Sequence, residues 1–223
     1  MNTNKPEMNF NPSYVGLRMD LLSNVEGEGK QVLDVGCATG ANGKYLLDKN
    51  IASTVYGIEM DEKMAAEAGR HYKDVIVGNL DDHKILQPIN TISFDLILLG
   101  DVLEHLDDPW KMLNDFANLL NRNGEIIISL PNIQHIDVWR HIYIKGTWPV
   151  NSRGIFDKTH KRFFTLKDIR KLVAGAGLQI TEVKRNFRFR DAIGSRFPIY
   201  GPLLVRMFKN LYTFQYIIVC RRA

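Results

Sequence analysis

The sequence predicts an α/β fold, a mostly parallel sheet with helices on both faces. Two observations lead there. From residue 31 to residue 132, short apolar runs alternate with segments of helical period. The runs are close to uninterrupted in hydrophobicity, as strands buried on both faces are. Composition agrees: 223 residues, 45% apolar and 24% charged, are ordinary for one globular domain and exclude collagen-like, disordered and disulfide-scaffold classes. A chain this long buries roughly 70% of its unfolded surface, so it needs no metal or disulfide to fold.

Each element has a local reason. Residues 14 to 25, YVGLRMDLLSNV, place Tyr14, Leu17, Leu21, Leu22 and Val25 on one face and predict a helix ahead of the main fold, a cap over residues 1 to 30. QVLDVGC (31 to 37) is an apolar run ending at a glycine, followed by helical ANGKYLLDK. TVYGIE (54 to 59), a helix over 61 to 71 and DVIVGN (74 to 79) complete a β-α-β-α-β series. FDLILLGDV (94 to 102), a helix from Asp108-Pro109 with Leu113, Phe116, Ala117 and Leu120 inward, and GEIIISLPN (124 to 132) continue it. Residues 133 to 164 then lose any clear period. Thr165 and Asp168 form a capping box for a helix that Gly177 ends. LQITEVKRN (178 to 186) and FQYIIVCRR (214 to 222) read as strands, with a long basic, aromatic connection over 187 to 213 between them. The whole, 1 to 223, reads as a single domain with its core at 31 to 132.

Charge divides unevenly. Residues 1 to 132 carry 11 Lys/Arg against 20 Asp/Glu, and residues 133 to 223 carry 18 against 5, which predicts a face that meets an anionic partner. Cys37 and Cys220 belong to no CxxC pair, and MNTNKPEMNF lacks the pattern of a signal peptide. No apolar stretch has the length of a membrane span. A cytoplasmic protein is expected.

DVGCATG (34 to 40) follows a strand and opens a helix, the setting of a nucleotide-binding glycine loop. Gly36 and Gly40 allow tight turns and close backbone approach, and the helix that follows offers free N–H groups. Ala38 stands where a dinucleotide fingerprint has glycine, and its Cβ would crowd a pyrophosphate, so a cofactor without one fits better. Glu59, ending the second strand, suits the two hydroxyls of a ribose. Asn79, ending the third, suits an adenine amino group and equally a turn. Gly100, Asp101 and Val102 end the fourth strand at the switch in strand order, where ligands bind.

VLDVGCATG, GIEMD, GNLDD and FDLILLGDVLEHLDDP, in this order and spacing, resemble class I S-adenosylmethionine-dependent methyltransferases over residues 31 to 132. The resemblance implies a Rossmann-like seven-stranded sheet with its last strand antiparallel, and S-adenosylmethionine as cofactor. It implies Asp34, Gly36 and Gly40, with Cys37 and Ala38, around the methionine moiety. Glu59 and Met60 would then lie at the ribose, Asn79 and Leu80 at the adenine, and Asp101 between Gly100 and Val102 at the amino end. The family's usual glycine is Ala38 here, and its frequent aspartate is Asn79. Tyr14 and Arg18 are expected to reach the cofactor carboxylate if the first helix caps the crevice.

The later segment, with PN and GIFDKTHKRFFT, is similar to a subgroup that includes sugar and surface-glycan methyltransferases, and to methyltransferase-like proteins associated with methionine biosynthesis. That similarity implies Asp157, His160 and Arg162 over the crevice and insertions at 133–164 and 187–213 that shape an acceptor site. A hydroxyl acceptor must lose its proton, and His105 or His160, with Asp157 as an orienting carboxylate, are the candidate catalytic residues. His135, Asp137, His141, Asp157 and His160 match no strong metal signature, so no metal is expected.

The leading expectation is O-methylation of a sugar-type, anionic acceptor. A small isoprenoid or quinone-like acceptor, with 187–213 as a hydrophobic cover, is an alternative. A catalytically silent cofactor-binding regulator is another. Without an NPPY-like motif or a recognition domain, nucleic acid is not an expected partner. The basic aromatic segment 187–212 is a candidate for peripheral contact with a membrane surface.

Overall fold

The computed structural model describes residues 15–82, 84–192 and 195–223. After a four-residue helix α1 (Met19–Leu22), the chain runs through β1 (Lys30–Val35), α2 (Ala41–Asp48), β2 (Ala52–Glu59), α3 (Glu62–Ala68) and β3 (Asp74–Val77). It continues through β4 (Phe94–Gly100), α4 (Pro109–Asn118), β5 (Leu120–Pro131), α5 (Ile136–Trp139), α6 (Leu166–Gly175) and β6 (Leu178–Phe187). It ends with α7 (Gly201–Met207), α8 (Lys209–Tyr212) and β7 (Thr213–Arg222).

Seven strands form one sheet in the order β3-β2-β1-β4-β5-β7-β6. All neighbours are parallel except β7, which runs antiparallel to β5 and β6. This is the Rossmann-like architecture the sequence predicts. Strand order reverses between β1 and β4, so their carboxyl ends open a crevice.

Alternation along the strands builds two cores. Leu33, Val35, Ile97, Leu99, Ile126, Ile128, Tyr216 and Ile218 face α4 and α6, which contribute Leu113, Phe116, Ile169 and Leu172. Val32, Leu96, Leu98, Ile127 and Ile217 face the other side, where Leu21, Leu22, Leu46 and Ala68 of α1, α2 and α3 cover them. Each fully buried Leu or Ile contributes about 1.5–3 kcal/mol relative to exposure. The two faces together explain why the strands read as unbroken apolar runs.

Local signals place most helix ends. Asp61 caps α3 through the amides of Lys63 and Met64, Asp108 caps α4 ahead of Pro109, and the Thr165/Asp168 capping box opens α6. Three expectations change. The helix expected over 14–25 is only Met19–Leu22, and Leu17 is exposed. Its buried anchors are Leu21 and Leu22. The helix expected over 61–71 ends at Ala68, where Gly69 follows. Leu120, expected on α4, opens β5 and pairs with Phe94.

The segment 133–164 is more regular than its sequence suggests. It contains α5, prolonged by a π turn over Arg140–Ile144, and a small core of its own in which Val138, Ile155 and Phe156 pack with Phe214. The second insertion lies against it. Buried His135 meets the Arg188 carbonyl through Nε2 at 3.0 Å, Arg190 pairs with Asp137 at 2.6 Å, and Asp191 accepts the Ile155 amide at 2.9 Å. Both insertions therefore leave the carboxyl edge of the sheet as one cover. No helix among the described residues is long and apolar enough to cross a membrane.

Candidate active site

The turn after β1 carries three left-handed residues, Gly36 (φ +65°), Ala38 (φ +48°) and Gly40 (φ +80°). Two of them need glycine for space as well. A Cβ on Gly36 would lie 3.0 Å from Val102 Cγ2, and one on Gly40 3.0 Å from the Ala68 backbone. Ala38 holds its strained conformation, which costs about 1–2 kcal/mol, with its amide on Glu59 Oε2 at 2.8 Å. Glu59 Oε1 accepts the amides of Met60 and Asp61 at 2.8 and 3.0 Å. Three N–H groups thus fix the carboxylate at the end of β2. A carboxylate has room for about four donors, so ribose hydroxyls would take the remaining place or replace one amide. The Met60 side chain beside it is exposed.

Asp34 supports this turn from below. It is buried, its Oδ2 accepts the Tyr72 hydroxyl at 2.6 Å, and that hydroxyl accepts the Gly43 amide at 2.9 Å. Burial, with the Glu59 charge adding, pushes the Asp34 carboxyl up to about 6. The resemblance implies Asp34 against the methionine moiety, whereas the structure pairs its carboxylate with Tyr72. Tyr72 had no part in the sequence reading. Its signal is Gly43 inside a helix, a residue that costs about 1 kcal/mol there and leaves no room for a side chain beneath Tyr72. Cys37 is buried in the same layer, and burial pushes its thiol well above the ordinary range.

Across the crevice, Asp101 sits just past β4 at φ +57°. Its Oδ2 lies 2.5 Å from Nη1 of Arg18, and its Oδ1 accepts Ser129 Oγ at 2.8 Å and the Gln215 amide. Arg18 also bonds Asp20 at 2.9 Å, and its own amide reaches Asn42 Oδ1 at 2.9 Å. Arg18, expected at the cofactor carboxylate, thus reaches the β4 end with its guanidinium on Asp101 and Asp20. Tyr14 lies outside the described residues. Gly100 serves this docking: a Cβ there would lie 2.8 Å from Leu21 Cδ1. Asn79 turns its Oδ1 to the Asp81 amide at 2.9 Å, the turn role among its two expected roles, and Leu80 packs against the main core. Val102 is buried beside Gly36.

The insertion returns to the end of β4. Lys161 and Arg162 donate their amides to the Glu104 carbonyl at 2.8 and 3.0 Å, which brings His160 beside His105. The two rings meet edge to face with centroids 4.8 Å apart. His105 Nδ1 lies 3.0 Å from Thr159 Oγ1 and 3.3 Å from the Thr159 carbonyl. Thr159 in turn donates to Asp157 Oδ1 at 2.6 Å. Asp157, expected to orient His160, reaches His105 through Thr159. His160 Nδ1 faces the Ile155 carbonyl at 3.2 Å. Carbonyl acceptors require the proton on Nδ1, so both Nε2 lone pairs are free to act. Burial, followed by the neighbouring His105, lowers the His160 pKa below its usual value. Glu104, which the sequence reading passed over, is fully buried beside them, and burial followed by Asp101 holds its carboxyl well above the usual carboxylate range.

A family model described as "Methyltransferase domain" matches residues 12–183, more than half of the chain. The chain belongs to this methyltransferase family. The methyltransferase is 26% identical over 175 residues to a ubiquinone biosynthesis O-methyltransferase of Neisseria meningitidis serogroup C (strain 053442), covering 75% of this chain and 72% of that one. It is 23% identical over 186 residues to the protein of that name from Cupriavidus pinatubonensis, covering 81% and 71%. Among solved structures, a SAM-dependent methyltransferase from Archaeoglobus fulgidus shares the fold at TM-score 0.64 and 16% identity, over 92% of this chain and 91% of that one. Magnesium protoporphyrin IX methyltransferase from Synechocystis PCC 6803, crystallised with bound SAH, shares it at TM-score 0.59 and 18% identity, over 92% and 78%.

The site suits the S-adenosylmethionine on which the family depends. Close backbone approach at Gly36 and Gly40 and the carboxylate of Glu59 at the β2 end fit a nucleoside with no pyrophosphate. The cofactor supplies a methyl group on a positively charged sulfur. The chain's own contribution is alignment.

Proposed function

We propose that the methyltransferase transfers a methyl group to a hydroxyl of an isoprenoid or quinone-like acceptor held at least partly in a lipid surface. The observation that carries this reading is the cover over the crevice, which exposes Trp139, Tyr143, Ile144, Trp148 and Val150 from the first insertion. Around α7, Ile199, Tyr200, Leu203, Met207 and Phe208 are exposed as well, with Arg206 and Lys209 among them. Aromatic and aliphatic side chains interleaved with cations match an anionic membrane surface, from which such an acceptor would enter. The names of the similar O-methyltransferases support the same acceptor class. The free thiols Cys37 and Cys220 suit the reducing cytoplasm.

In this reading the His105–His160 pair stands at the acceptor end of the crevice and manages the hydroxyl proton. Labelled methyl donor offered with prenylated phenols in anionic vesicles is expected to give labelled ether. Transfer to soluble sugar phosphates alone would overturn the acceptor class.

A second reading, a sugar-type anionic acceptor, is favoured by the excess of 18 Lys/Arg over 5 Asp/Glu in residues 133–223. It requires an acceptor Michaelis constant that rises with ionic strength while cofactor affinity changes little. A flat response removes it.

A further inference from the structure

We propose that Glu104, His105 and His160 form a binding site for one divalent transition-metal cation at the acceptor end of the crevice. One ligand atom from each lies within 4.8 Å of the other two, and His160 Nε2 is 4.0 Å from Glu104 Oε1. Bonds of about 2.0–2.2 Å to a shared cation bring neighbouring ligand atoms to roughly 3–3.6 Å apart. Closing the set therefore takes rotamer adjustments of about an ångström.

Glu104 supplies the strongest reason. Its side chain has no solvent exposure, and both carboxylate oxygens lack a hydrogen-bond partner among the described residues. Burying such a group costs several kilocalories unless it is paired or bound to a metal. The imidazoles beside it are prepared as ligands. His160 gives its Nδ1 proton to the Ile155 carbonyl and His105 to Thr159, which Asp157 holds in turn, so each Nε2 lone pair is left for coordination. A second layer of carbonyls and a carboxylate behind metal-binding histidines has this form.

The ligand set also indicates the ion. Two imidazoles and one carboxylate suit Mn²⁺, Fe²⁺, Co²⁺ or Zn²⁺ better than Mg²⁺, which prefers an all-oxygen shell. Three protein ligands leave positions open, as catalytic sites do. The expectation of no metal weighed His135, Asp137, His141, Asp157 and His160, of which His160 belongs to the present cluster and His135 and Asp137 do not. Those side chains are engaged elsewhere, His135 with Arg188 and Asp137 with Arg140 and Arg190. The cluster instead joins the β4 loop to the insertion, a pairing that no sequence spacing reveals.

Resting on the hydroxyl-acceptor reading, the role follows. Coordination of the acceptor oxygen lowers the hydroxyl pKa. With the cation bound, His105 and His160 act on the hydroxyl proton through the metal they hold and not as bases themselves: the O–H bond breaks and its proton leaves to water. The oxygen lone pair then forms the O–C bond as the methyl C–S bond breaks, giving an ether, a neutral thioether and one proton.

The test uses the full chain, stripped with chelator. Titration with Mn²⁺ followed by electron paramagnetic resonance, and with Zn²⁺ by calorimetry, is expected to show one site per chain. Glu104→Gln and His160→Gln should weaken it by about 10- to 100-fold or more, with S-adenosylmethionine affinity kept within about twofold. Cation-dependent thermal stabilisation of the wild-type chain, absent in Glu104→Gln, serves as an independent readout. No stoichiometric binding, or equal affinity in the variants, would overturn the site and leave Glu104 and His160 as a buried pair sharing a proton. Failure to bind S-adenosylmethionine would instead strike the cofactor site, which this cation titration does not involve.

Discussion

Nη1 of Arg18 lies 2.5 Å from Oδ2 of Asp101, joining the N-terminal segment to the end of β4 across 83 residues of chain. The pair is a third or so exposed, and such ion pairs contribute about 0–1 kcal/mol. Leu21, fully buried against Gly100, contributes more to holding α1 in place. The ion pair therefore positions Asp101 more than it stabilises the fold.

From that division, Arg18→Gln should change unfolding free energy by less than about 1 kcal/mol and weaken S-adenosylmethionine binding roughly tenfold. Leu21→Ala should lower stability by about 2–4 kcal/mol. Urea melts and calorimetry on both variants check it. Equal effects on stability would remove the positioning role.

Glu59 holds three backbone amides of the cofactor turn. Glu59→Ala should weaken S-adenosylmethionine by about 1.5–3 kcal/mol, the scale of charged hydrogen bonds. Unchanged affinity would take Glu59 out of the ribose role.

Asp34 has a carboxyl raised to about 6 by burial. Its folded value lies above the unfolded one near 3.9, so the protonated form is favoured by folding. The stability it contributes is complete below about pH 4 and is lost as pH rises through about 6. Asp34→Asn keeps an acceptor for Tyr72 and should flatten stability between pH 4 and 6.5. At pH 7 the gain should be on the order of 2–3 kcal/mol. Melts across that range decide it, and an unaltered slope would show that Asp34 is ionised at no cost.

His105 and His160 touch, so they are expected to act as a unit. Either alanine variant should slow single-turnover methyl transfer by roughly 100- to 10,000-fold, with cofactor binding retained. The double variant should be little worse than the singles, since residues in contact are not additive. Near-normal rates in both singles would leave alignment as the whole of catalysis.

What the amino-acid sequence determined by itself is the run of strands and helices and the glycine turn. These follow from short-range signals: unbroken apolar runs, Asp61, Asp108 and Thr165 as caps, and left-handed glycines at 36 and 40. The antiparallel last strand came from family resemblance, and β7 pairing with β5 and β6 bears it out. Tertiary structure alone decided which side chains meet. Tyr72 reaches Asp34 over 38 residues, Arg18 reaches Asp101 over 83, and Thr159 reaches His105 over 54. Glu104 shows why such contacts stay hidden. A glutamate in a polar DVLEHLDD stretch reads as solvated, and only the return of residues 157–162 over the β4 end buries it against His160. Local periodicity reports the face a residue shows to its own element, whereas a site is made by the faces that distant elements turn toward one another.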